Sequence, residues 1–317
     1  MEIKTTFYED WMKDQIIDLI CEQYGYDKNE YINQFSNFYE PDFQKSAIKV
    51  VLLDGKKVAG FMGFFYWPYK YNGKTYRSYQ AGNVIVDPNY RGQQIFHKMV
   101  EFMGKIHKER GVDLLMGFPV DVAFNTYIRN GWVNIFNLHW YLKINNPFSI
   151  LFPLNKKRIE QILNEKKIRN INQVSNLITL DDSDEFISWR EGYYKSKKYY
   201  YTVTCNNLKV QFGLKLNVRK KIINELIIGE ISTENYSVEN LTLAVKLLLK
   251  KIKKIRAITI VSFAINSHDE VMTQVINNVN FRKIDKKIFF VAKNFTNEDA
   301  LIDNSKWSIF RGDLDTW

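Results

Sequence analysis

Asn83-Val-Ile-Val-Asp-Pro-Asn-Tyr-Arg-Gly-Gln-Gln-Ile-Phe96 reads as a strand, a tight turn and the start of a helix. That order aims several unpaired backbone N–H groups and the positive end of a helix at one point, which makes an anion cradle. Gly92 permits a left-handed turn or the close approach of a ligand, and Arg91 adds a fixed positive charge. A pyrophosphate suits such a cradle.

Upstream, Ala47–Leu53, Val58–Tyr66 and Tyr76–Val86 are rich in β-branched and aromatic residues. Asp54-Gly55 lies in the first gap and Asn72-Gly73 in the second, so the three runs predict an antiparallel meander. An amphipathic helix precedes them, with Ile16, Ile17, Ile20, Cys21 and Tyr24 on one face. Downstream, Ile95, Met99, Phe102, Met103 and Ile106 predict a second such helix. Asp113–Phe118 then reads as a buried strand, followed by a short helix ending near Gly131. Strands Trp132–Ile135 and His139–Ile144 are expected to close this half.

Asn145–Asn155, with Pro147 and Pro153, breaks the pattern and predicts a boundary. The order of elements then repeats. A helix over Asp184–Tyr194 precedes strands Tyr199–Cys205, Leu208–Val218 and Ile222–Ile231, with Asn206-Asn207 in the first gap. A helix on Val238, Leu241, Val245, Leu248, Leu249 and Ile252 follows, then strand Ala257–Phe263, a helix from His268 and strand Ile288–Ala292. Both halves read α, three strands, α, strand, α, strand, which predicts an internal duplication of an α/β (α+β) fold. The expected domains are 1–148 and 149–317, each a mixed, mainly antiparallel sheet flanked by helices. In the second half the loop reads Gly229-Glu-Ile-Ser-Thr-Glu-Asn-Tyr-Ser-Val238, with no Arg-Gly turn. The expected site is therefore in the first half alone.

Composition bounds the rest. The 317 residues are 45% hydrophobic and 25% charged, a composition that folds. The charge, 45 − 35 = +10, admits polyanions, anionic membrane surfaces and phosphate-bearing molecules. The N-terminal MEIKTTFYEDWMKDQIIDLI carries acids and no basic stretch of a secretory signal, and Val58–Pro68 is too short to span a bilayer, so a cytoplasmic chain is expected. Cys21 and Cys205 stand apart, without the spacing of a zinc site or a disulfide framework, and no metal is expected. Lys246, Lys250, Lys251, Lys253, Lys254 and Arg256 form the densest positive run. It is read as the solvated side and end of a helix, not as a nucleic-acid footprint.

The run VDPNYRGQQIF, between a meander and an amphipathic helix and followed by AFNTYIRNGW, resembles the GNAT acyl-CoA N-acyltransferase superfamily. In that family the strand, loop and helix hold the coenzyme A pyrophosphate through backbone amides, and the loop reads Arg/Gln-x-x-Gly-x-Gly/Ala. Arg91 matches the first position, while Gln94 and Phe96 stand where the small residues usually do. The resemblance implies acetyl-CoA as acyl donor, held by Arg91, Gly92, Gln93, Gln94, Ile95 and Phe96, with Val84, Ile85 and Val86 beside the pantetheine arm. Tyr127, four residues before Gly131-Trp132, matches the tyrosine that protonates the departing thiolate. Ile276 stands at the matching place in the second half, which then resembles the degenerate copy of tandem-GNAT proteins.

The implied reaction is attack of a primary amine on the thioester, with a backbone N–H polarising the carbonyl. For the base, Glu40, Asp42, Asp121 and His139 are candidates, and Glu40, in the loop FSNFYEPDF, is preferred. The tail Trp307–Trp317 keeps three large aromatics and is expected to pack on the body. Its Gly312-Asp-Leu-Asp315 is similar to tails of bacterial acyltransferases from surface-polysaccharide pathways, which implies an amino-sugar acceptor; Asp313 and Asp315 read first as a cap or Asx-turn, with contact to a sugar or metal as the alternative. Aminoacyl or peptidyl transfer of the Fem type and a non-catalytic GNAT scaffold are the alternatives.

Overall fold

Turn residues and strand periods build the first half in the expected order, with two additions at its start. The structure, a computed structural model, describes residues 3–163, 165–168, 176–181, 183–193, 197–205 and 207–315. Tyr194, Asn206 and the last two positions of the tail lie outside them. The first half runs β1 (Ile3–Phe7), α1 (Lys13–Tyr24), α2 (Lys28–Tyr39), β2 (Ile48–Asp54), β3 (Lys57–Tyr66), β4 (Tyr69–Tyr71), β5 (Lys74–Tyr76), β6 (Ser78–Val86), α3 (Ile95–Lys105), α4 (His107–Arg110), β7 (Leu114–Gly117), α5 (Asp121–Arg129) and β8 (Val133–Ile144). The second runs α6 (Lys156–Leu163), β9 (Thr179–Leu180), α7 (Asp184–Tyr193), β10 (Lys198–Cys205), β11 (Leu208–Arg219), β12 (Ile223–Thr233), α8 (Val238–Ile252), β13 (Ile260–Asn266), α9 (Glu270–Asn278) and β14 (Arg282–Asn294).

Helix α2 corrects the reading of FSNFYE as loop. Asp27 caps it by accepting from the Glu30 amide at 2.9 Å, and its inner face buries Tyr31, Phe35, Phe38 and Tyr39. Asn72 and Gly73, both at positive φ, turn a small β4–β5 hairpin that pairs with β9 in a separate sheet. The main sheet passes directly from β3 to β6.

One sheet of eleven strands runs through both halves, in the order β1-β2-β3-β6-β7-β14-β8-β13-β12-β11-β10. The closing segment expected as two strands is the single long β8, and it does not pair within its own half. It lies between β13 and β14, while β14 pairs with β7. Each half thus lends its last strand to the other, and β6–β7 and β12–β13 are the parallel pairs on either side. The helix ends repeat as well. Gly131 at φ +75 and Asn280 at φ +56 follow α5 and α9, and the next amide, of Trp132 or Phe281, bonds back to Tyr127 or Ile276.

Apolar faces seal the layers. Met99, Val100 and Met103 of α3 pack one side of the first-half sheet, while Ile16, Ile17 and Phe35 of α1 and α2 pack the other. Leu241, Val245 and Leu248 of α8 do so in the second half. Trp307, Ile309, Phe310 and Leu314 are buried, so the tail packs on the body as expected. No described helix is long and apolar enough to cross a membrane.

Candidate active site

Strand β6 pairs with β7 only over Ser78–Gln80, then diverges. From Ala81 to Val86 its backbone keeps β3 on one edge and, among the described residues, has no strand on the other. A bulge marks the divergence: Phe64 pairs with Ala81 and Met62 with Val84, so Gly63 faces two residues. Gly82 is needed there, because a Cβ would stand 2.2 Å from the Phe65 ring. The gap opens into a cavity of about 990 Å³, lined by Ala81–Val86, Arg91, Phe96, Phe118–Ala123, Tyr127, Lys287–Phe289 and aromatic residues of the α1–α2 region.

The loop after β6 is held from outside. Asp87 accepts from the Asn89 amide at 2.8 Å and pairs with Lys57 at 2.9 Å, and the Tyr90 hydroxyl donates to Asp54 at 2.9 Å. Gly92 (φ +80) and Gln94 (φ +59) both adopt left-handed backbone, so Gln94 takes the path that glycine takes more easily, at a local cost of about 1–2 kcal/mol. Gln94 adopts this backbone although its residue type prefers negative φ. No side chain caps the first turn of α3, which leaves its amides facing the cradle. A second hollow of about 590 Å³ abuts this turn, lined by Val86, Arg91, Gly92, Gln94, Ile95, Phe96, His97, Thr126 and Arg129. Sequence reading missed Arg129, although it stands two residues after Tyr127 in the same helix.

Tyr127 is 3% exposed, its ring set edge-on to Phe96 (5.4 Å) and Trp132 (4.7 Å). It lines the cavity, and no described group accepts from its hydroxyl. Burial, followed by the charge of Asp315, pushes this hydroxyl far above a phenol's ordinary value. At neutral pH the phenol keeps its proton.

The acids divide. Asp121 and Asp315 line the cavity, whereas Glu40 stands at the end of α2 bonded to Lys13, with its pKa lowered mainly by that bond. Asp42 is exposed and paired with Lys45 at 2.8 Å. His139, on β8, is outside the cavity lining, and burial lowers its pKa. The structure thus brings Val84–Val86, Arg91, Phe96 and Tyr127 together and leaves Glu40 apart.

The corresponding divergence in the second half is filled. β12 pairs with β13 over Glu225–Ile228 and then separates. The tail enters there: Phe310 bridges to Ile265, and a Cβ on Gly312 would stand 2.3 Å from the Gly229 carbonyl oxygen. Ser237 caps α8 by accepting from the Asn240 amide, so that helix start is satisfied where α3 is not. Arg190 donates to the Gly312 and Leu314 carbonyls, and the Trp67 indole donates to Asp313 at 3.0 Å. From this clamp the chain carries Leu314 and Asp315 into the first-half cavity.

Beneath the tail, Glu230 pairs with Lys198 at 3.0 Å and Lys167 at 3.5 Å. Burial alone would raise its pKa, but these cations hold it well below the carboxylate range. Burial pushes the Asp313 carboxyl up to about 7. Between about pH 4 and that value the folded chain keeps a proton that the unfolded chain has released, so this group's contribution to stability falls as pH rises. Asp313→Asn is expected to flatten that fall, measured as urea midpoints across the same window.

Residues 6–134 match the model of a family described as acetyltransferase (GNAT) domain. No curated protein matches the chain. Among solved structures, a GCN5-related N-acetyltransferase from Anabaena variabilis has a TM-score of 0.63 at 14% identity, over 95% of this chain and 74% of that one. A tandem GNAT protein from the clavulanic acid biosynthesis pathway gives 0.52 at 11%, over 94% and 100%. Saccharomyces cerevisiae N-myristoyltransferase with bound myristoyl-CoA gives 0.51 at 9%, over 94% and 80%. At these identities the likeness is one of fold.

Proposed function

Residues 6–134 match a GNAT acetyltransferase domain, and from that premise we propose that the first half of the chain transfers an acetyl group from acetyl-CoA to a primary amine. The observation that carries this reading is the meeting of the uncapped α3 turn, the unpaired edge of β6 and the Tyr127 hydroxyl around two adjoining hollows that share Val86, Arg91 and Phe96. The amides of Gly92, Gln94, Ile95 and Phe96 and the two guanidiniums of Arg91 and Arg129 hold the pyrophosphate and phosphate groups, while the Arg91 and Gln93 amides donate instead to the Pro88 and Tyr90 carbonyls. A free amide between Val84 and Val86 donates to the thioester carbonyl as negative charge grows on its oxygen.

The amine nitrogen attacks the carbonyl carbon, the carbon–sulfur bond breaks, and Tyr127 gives its proton to the leaving sulfur. The proton lost by the amine goes to Asp315, the acid whose charge acts on Tyr127, rather than to Glu40. Asp315 then releases its proton to solvent and solvent returns one to Tyr127, so amine and thioester become amide and thiol. For the acceptor we favour an amino sugar. Tyr24, Tyr26 and Tyr31 stack at 5.6 and 5.5 Å along the cavity wall and offer ring faces to a pyranose. A cytoplasmic site suits Cys21 and Cys205, which are both buried and free. The test is thiol release from acetyl-CoA across a panel of amino sugars, diamines and amino acids. Release with none of them would contradict the reading.

Arg91→Ala and Arg129→Ala are each expected to weaken acetyl-CoA binding about tenfold in calorimetry, with little change in kcat at saturation, since each removes one charged contact.

A further inference from the structure

Three connections meet at the far end of the second-half sheet. Thr259 is their hub: its carbonyl accepts from the Asn145 and Asn146 amides at 2.9 and 3.2 Å, its amide donates to the Asn224 carbonyl at 2.8 Å, and its hydroxyl accepts from the Asn224 amide at 3.1 Å and meets Ser149 Oγ at 2.7 Å. Asn224 also donates to the Ala257 carbonyl at 2.9 Å, and the Arg256 guanidinium lies 3.7 Å over the Phe152 ring. The segment 144–152, the turn 220–222 and the segment 253–257 therefore form one surface.

Its apolar side chains point to solvent. Phe148, Ile150 and Leu151 are 67%, 69% and 71% exposed, and Ile144 and Ile222 are also more than half exposed. They stand on connections between elements rather than in a groove, so they form knobs. Around them lie Lys220, Lys221, Lys253, Lys254 and Arg256, all exposed, and among the described residues none is in an ion pair. Lys220 and Lys221 hold positive φ (+49 and +63), a backbone that disfavours such side chains, at the tip of the turn.

We propose that this surface docks the protein on an anionic phospholipid bilayer, with the apolar knobs below the headgroups and the cations on the phosphates. Protruding aliphatic side chains ringed by basic ones suit an interface that is apolar inside and negative outside. A second copy does not fit, because a two-fold contact would set each cation group against its own image. Nucleic acid would satisfy the cations and leave Ile144, Ile150, Leu151 and Ile222 without a function. The surface is about 20 Å along β8 from Leu138, which pairs with the cavity-lining Ile288, counting six residues to Ile144, so docking leaves the site open.

The test is co-sedimentation with equimolar phosphatidylglycerol–phosphatidylcholine vesicles and with phosphatidylcholine alone. Binding is expected only to the anionic vesicles, to weaken with added salt, and to fall at least tenfold in Phe148→Ser/Leu151→Ser and in Lys220→Glu/Lys221→Glu. All these positions are exposed, so circular dichroism and acetyl-CoA affinity should stay unchanged in both variants. Failure to bind anionic vesicles, or binding unmoved by either pair, would overturn the proposal. So would concentration-dependent self-association or DNA binding that the same variants abolish while vesicle binding persists. Acetyl-CoA affinity reads the catalytic half independently.

Discussion

Replacing Tyr127 with Phe is expected to lower kcat about 100-fold or more while changing acetyl-CoA affinity less than twofold, as loss of a general acid does. The ring of Tyr127 packs between Phe96 and Trp132, and Phe keeps both contacts. No described group accepts from the hydroxyl, so removal orphans nothing and the melting temperature should hold. Because burial holds the phenol protonated far above neutrality, activity should not fall on the alkaline side through this group. A variant with normal turnover would remove Tyr127 from the chemistry and leave it as packing.

The second large effect is expected at Gly312. An added Cβ would stand 2.3 Å from the Gly229 oxygen and 2.9 Å from its carbonyl carbon. Both are backbone atoms of a paired strand, so no side-chain rotation relieves the clash. Gly312→Ala should destabilise the protein by about 1–3 kcal/mol, the usual range for overpacking. It should also loosen the carbonyls that Arg190 holds, and with them Asp315, so kcat should fall more than stability alone would explain. Thermal unfolding read beside steady-state kinetics separates the two. A variant with unchanged melting temperature and kcat would show that the tail is not clamped in the second-half divergence.

Much of this was legible in the sequence, but unevenly. Hairpin turns, amphipathic faces and the repeat of elements come from local pattern, and these are the features the structure reproduces. Helix α2 was missed because Asn29, Asn33, Gln34 and Asn37 dilute its apolar face, which tertiary burial of Phe35 and Phe38 restores. The exchange of β8 and β14 leaves no mark in either strand, since periodicity reports which face is buried and not which neighbour is paired. Gln94 hides its left-handed backbone behind a residue type that prefers negative φ. Asp315 reaches the cavity only because the tail crosses the second-half cleft, a path of long sequence separation. The proposed coenzyme loop and Tyr127, by contrast, sit within one continuous stretch, so the candidate site rests on local spacing.

The account rests on the first-half cavity as the seat of acyl transfer, and a structure with coenzyme A bound tests that most directly. It should show the pyrophosphate on the amides of Gly92, Gln94, Ile95 and Phe96 and the sulfur within hydrogen-bond reach of the Tyr127 hydroxyl. Coenzyme A seated elsewhere, or with its sulfur turned away from Tyr127, would contradict it.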